Sequence, residues 1–396
     1  MSSLRQLFNY LHILLALTLL SSTSAFDSNP DHSDGKLVDS CLSKSSQPPT
    51  IDIARLFDIS DISLKNDVTN TIGMAARKWG FFHVVNHGIP KSLINDFLHQ
   101  LRVFFNSSND VKMSVKRNYN NSRGYANDEF TKQKIDAKQI FDVGHKPFPE
   151  LSDNAFENVV IDGFNQWPTG PDLENFKSII EKYYSACTVV AGTILNAIAR
   201  DLEIDGSIFF EDFHNHTSFL RLNYYPIMNL TLNESVLGVS RHTDAGVLTL
   251  LLQDSVSALE VYTGTKEDNN DGDWVAIKPV EDALTVNICD MLQVNHIYED
   301  RFSRLIVLIL LFIFITQVWS NDNYLAPEHR VRASTTKERY SAPFFYNPNY
   351  VAIIKPLVQT QYPKYRQFEY AEFRKKRFLG DYSNIGKEVQ IEDYLQ

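Results

Sequence analysis

The stretch Gly238-Val-Ser-Arg-His-Thr-Asp-Ala-Gly-Val-Leu-Thr-Leu-Leu-Leu-Gln253 combines two potential metal ligands with an apolar, β-rich run. Alternate residues of a strand point to the same side, so we expect the His242 imidazole and the Asp244 carboxylate to lie side by side. One histidine from a neighbouring strand would complete a set of two histidines and one carboxylate. Such a set leaves positions open on Fe(II) for a substrate and O2.

The candidate for that third ligand is His329, which opens the β-rich run His329-Arg-Val-Arg-Ala333. Further along the chain, Arg339 and Ser341 are expected to share one face of another strand. A guanidinium beside a hydroxyl binds a carboxylate well, and a buried arginine needs an anion to offset its desolvation. The pair therefore indicates a carboxylate site, and a surface arginine paired with a glutamate is the alternative.

The order of the elements predicts an α+β fold. Short strands are expected at Ile51–Ile53 and Phe81–Val85, and the strongest helical pattern spans 172–202 with Asp172 as its N-cap. From residue 218 onward, short β-rich runs alternate with polar turns: 219–225, 247–253, 259–262, 274–277, 284–288, 329–333 and 340–346. Such a series favours a double-stranded β-helix (jelly-roll) core, with a helical N-terminal region packed on it.

The composition is that of a globular protein and excludes several classes. The chain has 396 residues, of which 43% are hydrophobic, and a formal net charge of -10. The acidic balance argues against a nucleic-acid-binding protein. Cys41, Cys187 and Cys289 are too few and too far apart for a disulfide framework or a cysteine zinc site. Histidine and carboxylate side chains must therefore hold any metal.

Residues 1–25 have the pattern of a secretory signal peptide. The apolar run Leu11–Leu20 is followed by small residues at a cleavage site, Thr23-Ser-Ala25. The run is too short to span a bilayer comfortably, although a retained membrane anchor is the alternative. Ser24-Ala25-Phe26 also resembles the signal junction of algae with complex plastids, so a secretory compartment and a complex plastid both stay open. Residues 26–48 are expected to form a flexible leader.

The segment 294–317, VNHIYEDRFSRLIVLILLFIFITQ, interrupts the β-rich half. Its apolar run Leu305–Ile315 is shorter than the roughly 20 residues of a transmembrane helix. Every valine codon begins with GT and glutamine can be encoded by CAG, so the segment can start and end as an intron does. Its Ile, Leu and Phe codons would supply the pyrimidine-rich tract before the final AG. We therefore predict a retained intron, and a genuine hydrophobic insertion or membrane-docking hairpin is the alternative.

Taken together, these motifs resemble the Fe(II)/2-oxoglutarate-dependent dioxygenases. The nearest branch contains isopenicillin N synthase and the plant flavonoid and gibberellin oxidases. The resemblance covers residues 49–370, and beyond the stretches above it rests on these segments: Pro49-Thr-Ile-Asp-Ile53, Trp79-Gly-Phe-Phe82, Val85-Asn-His-Gly-Ile89, Arg221-Leu-Asn-Tyr-Tyr-Pro226, Asp290-Met-Leu-Gln293 and Pro327-Glu-His-Arg-Val-Arg-Ala-Ser334.

The resemblance implies an enzyme whose catalytic iron ligands are His242, Asp244 and His329. The implied cofactors are Fe(II), 2-oxoglutarate as cosubstrate and O2, and the implied by-products are succinate and CO2. Related halogenases carry Gly or Ala at the place of Asp244 to admit a halide. The carboxylate therefore favours hydroxylation or desaturation of a small-molecule substrate.

For the cosubstrate, the resemblance implies that Arg339 and Ser341 bind the distal carboxylate of 2-oxoglutarate. It further implies that Tyr225 donates a phenolic hydrogen bond to that carboxylate and that Asn223 lies near the keto-acid end. The segment Arg123-Gly-Tyr125 and Phe141 lie where this branch often lines the substrate pocket. The rest of the pocket, and with it the identity of the substrate, cannot be predicted from the fold.

These interpretations divide the chain into six parts: 1–25, signal or targeting peptide; 26–48, flexible leader; 49–170, N-terminal dioxygenase region; 171–217, long helix and connection; 218–350, jelly-roll core including 294–317; and 351–396, C-terminal segment. Two alternatives stay open: an isopenicillin N synthase-like oxidase that does not use 2-oxoglutarate, and a non-catalytic homologue disabled by the insertion. We expect a small-molecule substrate, no nucleic acid, no stable membrane insertion and a monomer.

The intron interpretation predicts a specific splice. Removal of 294–317 would join Gln293 to Val318 and shorten the separation of Asp244 from His329 from 85 to 61 positions, closer to the family pattern. We expect sequencing of the transcript across the two junctions to find a product that lacks the segment. A single, unspliced product would contradict the interpretation.

Overall fold

The computed structural model describes residues 46–58, 62–131, 134–145, 148–149, 151–229, 236–263, 274–292, 320, 324–357, 365–382, 389 and 391–395. The predicted signal peptide, nearly all of the predicted leader and the predicted insertion 294–317 lie outside these residues. The α-helices of the described part are α1 (Ile62–Lys78), α2 (Lys91–Asn106), α3 (Asn109–Ser114), α4 (Phe176–Asp201), α5 (Ile208–Asp212) and α6 (Tyr370–Tyr382).

The strands carry most of the predicted site residues. In chain order they are β1 (Thr50–Asp52), β2 (Phe81–Val85), β3 (Gly124–Ala126), β4 (Phe130–Thr131), β5 (Lys134–Ile135), β6 (Gln139–Gly144), β7 (Phe219–Tyr225), β8 (Leu237–His242), β9 (Leu248–Gln253), β10 (Leu259–Tyr262), β11 (Trp274–Ala276), β12 (Leu284–Ile288), β13 (His329–Arg332), β14 (Arg339–Tyr346), β15 (Ile353–Ile354) and β16 (Phe368–Glu369).

Two sheets face each other and form the predicted jelly roll. The larger sheet has the order β1-β2-β12-β9-β14-β7-β6-β3, and the smaller has the order β11-β10-β13-β8. The β1–β2 pair is parallel and the other neighbours pair antiparallel. The fold is thus α+β with a jelly-roll core, which confirms the fold predicted from the sequence.

The larger sheet is covered on both faces, which explains why strands such as β12 and β14 are buried along nearly their whole length. On β14, alternate residues such as Tyr340 and Phe344 join the main apolar core with helices α2 and α4. The residues that alternate with these, including Arg339 and Ser341, line a cavity on the opposite face. Because side chains alternate across a strand, one run of sequence supplies both a core and a functional surface.

The long helix α4 supports this sheet but begins later than predicted. Its buried side chains recur at helical spacing, as the period predicts: Phe176, Ile180, Tyr183, Cys187, Val190, Ile194 and Ile198. The predicted N-cap Asp172 is wrong, because Asn175 occupies that position. Asp172 instead lies in a turn with a φ of 63°, where its carbonyl accepts a hydrogen bond from the Gln100 side chain. None of the described helices is long and apolar enough to cross a membrane.

The N-terminal region is less purely helical than the sequence indicates. It contributes strands β1, β2, β3 and β6 to the larger sheet. Of these, β6 pairs with β7 and places Asp142 directly opposite Arg221. Charged residues at such positions obscure a strand in the sequence, because a hydrophobic pattern does not show that a carboxylate will be buried against its partner.

Candidate active site

Adjacent strands of the smaller sheet bring the three predicted metal ligands together. His242 is the last residue of β8, His329 is the first residue of β13, and the two pair directly across the antiparallel ladder. The sequence predicts that Asp244 continues the strand of His242, but β8 ends at His242 and Asp244 lies in the connection to β9. Its carboxylate nevertheless lies beside both imidazoles.

The three side chains form a compact group of potential ligand atoms. Oδ1 of Asp244 lies 3.5 Å from Nε2 of His242 and 3.6 Å from Nε2 of His329. One ligand atom from each residue lies within 4.8 Å of the others, and Asp244 and His329 are buried. Two imidazole nitrogens and one carboxylate oxygen on one side of a site fit Fe(II), with the opposite side left for other ligands.

Backbone carbonyls set the orientation of both imidazole rings. Nδ1 of His242 lies 2.7 Å from the carbonyl oxygen of Ser240, and Nδ1 of His329 lies 3.3 Å from that of Pro327. A carbonyl only accepts hydrogen bonds, so in each ring Nδ1 carries the proton. The other nitrogen, Nε2, then faces Asp244 and is the ring atom available to a metal ion.

The Asp244 carboxylate is held by its second oxygen. Oδ2 accepts hydrogen bonds from Oγ1 of Thr249 at 2.7 Å and from Nδ2 of Asn287 at 2.8 Å. Burial raises the pKa of Asp244, but attraction and hydrogen bonding by His329 and His242 outweigh it and keep the pKa well below its usual value. Asp244 is therefore an anion with Oδ1 directed at the histidines.

Arg339 forms a second polar centre in the same cavity. The side chain is 1% exposed, and its Nη1 and Nη2 donate to Oγ of Ser341 at 3.3 Å and to Oε1 of Gln253 at 3.1 Å. The guanidinium also lies 4.9 Å from the ring centre of Tyr225. Within the described residues, none of these contacts supplies a negative charge to offset the buried cation.

Unpartnered buried atoms beside Arg339 indicate where a ligand belongs. Among the described residues, Nε of Arg339 and Oδ1 of Asn223 are buried without a hydrogen-bond partner. A buried guanidinium without an anion has an uncompensated desolvation cost, so the site fits a ligand that carries a carboxylate. The cosubstrate 2-oxoglutarate has such a group at the end distant from its keto acid.

A single cavity of about 240 Å³ connects these two centres. All seven predicted site residues line it: Asn223, Tyr225, His242, Asp244, His329, Arg339 and Ser341. Arg123, expected near the substrate, lines it as well, whereas Tyr125 and Phe141, also expected there, pack into the main apolar core. The structure thus brings together the seven residues predicted for the metal and the cosubstrate.

Sequence reasoning missed three residues that orient these groups: Thr249, Gln253 and Asn287. The strand register could have identified two of them, because Gln253 lies opposite Ser341 and Asn287 lies opposite Thr249. Thr249 itself alternates with the core residues Leu248 and Leu250 on β9. A polar residue at alternate positions of an otherwise apolar strand is therefore the signal that marks such residues.

Fold and site together define a jelly-roll oxygenase with two histidines and one carboxylate for a metal. Residues 216–348 match the 2OG-Fe(II) oxygenase superfamily, and residues 48–170 match the family described as non-haem dioxygenase in morphine synthesis N-terminal. The chain belongs to the 2OG-Fe(II) oxygenase superfamily. It is an Fe(II)/2-oxoglutarate-dependent dioxygenase, an oxidoreductase that hydroxylates or desaturates its substrate with O2.

Curated relatives resemble this chain over most of its length. Gibberellin 2-beta-dioxygenase 8 of Arabidopsis thaliana is 28% identical over 88% of this chain and 86% of its own. Jasmonate-induced oxygenase 2 of Arabidopsis thaliana is 30% identical over 78% of this chain and 72% of its own. These matches span both halves of the enzyme and confirm the class of dioxygenase predicted from the motifs.

Solved structures confirm the fold. JOX2, in complex with 2OG, Fe and JA, has a TM-score of 0.63 and 26% identity, covering 93% of this chain and 98% of its own. A full-length Neurospora crassa protein, in complex with alpha-KG and thymine, has a TM-score of 0.67 at 23% identity over 85% of this chain and 98% of its own. The second likeness shows the shared architecture alone.

The hydrogen bonds to Oδ2 of Asp244 generate a prediction. We expect Thr249→Val to weaken metal binding about tenfold or more, because it removes a donor that orients the carboxylate. Anaerobic titration of the protein with Fe(II) in a calorimeter measures this affinity. The matched control is Thr285→Val, which removes a buried hydroxyl that bonds to His83 and Gln253 instead. Equal affinities of the two variants would contradict the role of Thr249.

Proposed function

We propose that His242 and His329 hold Fe(II) through Nε2 and that Asp244 holds it through Oδ1. The observation that carries this proposal is the convergence of these three atoms in a cavity that also contains an unpaired arginine. Carbonyl groups fix the histidine tautomers, and the donors on Oδ2 leave Oδ1 for the metal. This arrangement supports iron in preference to a structural zinc ion, which would need a closed set of four ligands.

We propose further that Arg339 and Ser341 bind the distal carboxylate of 2-oxoglutarate. The Tyr225 ring and the Gln253 amide hold the guanidinium in place, and Nε remains for the carboxylate. Asn223 pairs with Ser341 across the β7–β14 ladder and lines the same cavity, so its side-chain amide lies near the same ligand. The hydrogen bond from the Tyr225 hydroxyl stays a prediction.

The reaction we propose is hydroxylation or desaturation of a small molecule. When bound, Fe(II) and 2-oxoglutarate supply O2 activation coupled to oxidative decarboxylation of the cosubstrate. The chain itself contributes orientation and exclusion of water: apolar side chains from both sheets, such as Leu251, Leu259 and Val331, line the cavity beside the polar centres. They hold the C–H bond of a substrate away from solvent.

We also propose that residues 1–25 direct the enzyme into the secretory pathway. The family match begins at residue 48, so the predicted signal and most of the leader precede the enzyme fold. A plastid of the complex type, reached through the same pathway, is the second candidate destination. The residues Ala25-Phe26 at the predicted cleavage site favour it.

The iron and cosubstrate assignments predict a visible charge-transfer band when Fe(II) and 2-oxoglutarate are added without O2. We expect the band in the chain that lacks 1–25 and 294–317, its disappearance in His242→Ala, and at least about tenfold weaker 2-oxoglutarate binding in Arg339→Ala. Arg332→Ala is the matched control, because this exposed arginine pairs with Glu260 outside the cavity.

Turnover distinguishes the remaining alternatives. We expect succinate to form only when Fe(II), O2 and 2-oxoglutarate are all present. Iron binding without the band would favour an oxidase that does not use 2-oxoglutarate. Failure of the folded protein to bind iron would refute the assignment of His242, Asp244 and His329.

The targeting proposal is tested by joining residues 1–48 to a fluorescent reporter. We expect the fusion to enter the secretory pathway and to be cleaved after Ala25, because small residues precede that bond. A fusion that begins at residue 26 serves as the control and is expected to stay in the cytosol. An uncleaved, cytosolic reporter carrying residues 1–48 would contradict the proposal.

A further inference from the structure

Two paired strands follow the cavity from one end to the other. At one end of the β7–β14 ladder Tyr225 pairs with Arg339, and at the other end Phe219 pairs with Phe345. Phe219 and Tyr225 lie six positions apart on one extended strand, which corresponds to about 20 Å. The cosubstrate site proposed above occupies the Arg339 end. The Phe219 end therefore remains for the substrate.

Two guanidinium groups lie against the Phe219 ring. Arg123 immediately precedes β3, and its guanidinium lies 5.2 Å from the ring centre of Phe219. Arg374 comes from helix α6, and its guanidinium lies 5.3 Å from the same ring centre. Arg123 is 2% exposed, and both side chains line the cavity.

The carboxylate that pairs with these arginines neutralises only one of them. Nη2 of Arg123 donates to Oδ1 of Asp162 at 2.7 Å, and Asp162 is also attracted to Arg374. Among the described residues, Nε of Arg123 and Nε of Arg374 are buried without a hydrogen-bond partner. This end of the cavity thus has one positive charge in excess and donors that lack an acceptor.

The neighbouring cations of the cavity are each paired with a carboxylate. Arg221 lies near the same phenylalanine ring, at 5.9 Å, but it makes two hydrogen bonds of 2.8 Å to Asp142. Its third bond reaches Glu129 at 2.8 Å. The remaining cations there, Arg117 and Lys138, pair with Glu129 and Asp136. This network has as many carboxylates as cations, so the excess belongs to Arg123 and Arg374.

The fold holds Arg123 in a fixed place. Its guanidinium packs against the backbone of Gly144, where a Cβ atom would lie within 2.4 Å of Nη2. The Asn165 side chain secures that backbone by bonding to both the amide and the carbonyl of Gly144. A side chain that is buried and anchored in this way is preorganised for a ligand.

Helix α6 connects this end of the cavity to the metal site. One turn after Arg374, Arg377 donates from Nη2 to the carbonyl of Thr243 at 3.0 Å and from Nη1 to Asp290 at 3.2 Å. Thr243 lies between His242 and Asp244 in the chain. The same helix therefore positions the unpaired Arg374 and contacts the backbone between two of the proposed iron ligands.

We infer that Arg123 and Arg374 form a binding site for the carboxylate of a monoanionic substrate. This inference rests on the proposed function, because it requires the cosubstrate to occupy the Arg339 end. Guanidinium groups bind a planar carboxylate through paired hydrogen bonds, and a single excess charge matches a monocarboxylate. The rest of the substrate is largely apolar, because apolar side chains also line the cavity: Ile161, Val239, Leu251, Leu259, Val331 and Phe345.

The test is a screen of cyclic and aliphatic monocarboxylic acids against their methyl esters, with phosphate monoesters included. Thermal stabilisation of the protein loaded with Fe(II) and 2-oxoglutarate, without O2, reports binding. We expect several acids to stabilise the protein and their esters not to do so. For the strongest acid we expect the affinity to fall about tenfold or more in Arg374→Gln and less in Arg374→Lys, which keeps the charge.

Lys376→Gln is the matched control, because it removes one charge from the exposed side of the same helix, where Lys376 pairs with Glu372. We expect it to leave the affinity for the acid unchanged, and 2-oxoglutarate binding to be equal in all these variants. Four outcomes would each overturn the inference. Esters could bind as well as acids, phosphate monoesters could bind better than carboxylic acids, or no acid could bind. The fourth is an acid whose affinity depends on Arg339 and not on Arg374. If the unmutated protein formed no charge-transfer band with Fe(II) and 2-oxoglutarate, the proposed function would be refuted instead.

Discussion

The pairing of β8 with β13 is the constraint on which the rest of the site depends. It sets His242 directly opposite His329, and Asp244, two residues beyond the end of β8, places its carboxylate beside both rings. The rigid ladder fixes the two backbones, while hydrogen bonds to Ser240 and Pro327 fix the rings. The metal ligands are therefore oriented by the fold itself, and Thr249 and Asn287 need only hold the carboxylate.

A cavity between two sheets also determines how charge is distributed. Charged groups in such a place are costly unless they are paired, and most of those in this cavity are paired within the chain. The exceptions among the described residues are Arg339 at one end, and Arg123 and Arg374 at the other, which share the single carboxylate of Asp162. These charges lie at the two ends proposed for the cosubstrate and the substrate, where a bound carboxylate would offset their desolvation cost.

The C-terminal helix α6 gives the cavity its remaining wall. Phe378 and Arg374 line the cavity from this helix, and Arg377 is buried against Asp290 and the backbone of Thr243. A helix attached in this way couples the substrate end to the metal end without any shared strand. Variation along one face of this helix would therefore change substrate preference and leave the iron ligands as they are.

The sequence by itself determined the fold class and predicted the three metal ligands and the Arg339 and Ser341 pair, because strand alternation and local motifs are properties of neighbouring residues. It also predicted a place for Arg123 in the substrate pocket, through a resemblance to related enzymes. Only the tertiary structure decided that Asp244 lies beyond the end of β8 and that Arg374, from a distant helix, lies against the same phenylalanine ring as Arg123. The physical reason is that charge balance in a buried cavity depends on which groups meet across elements, and no local pattern encodes those contacts.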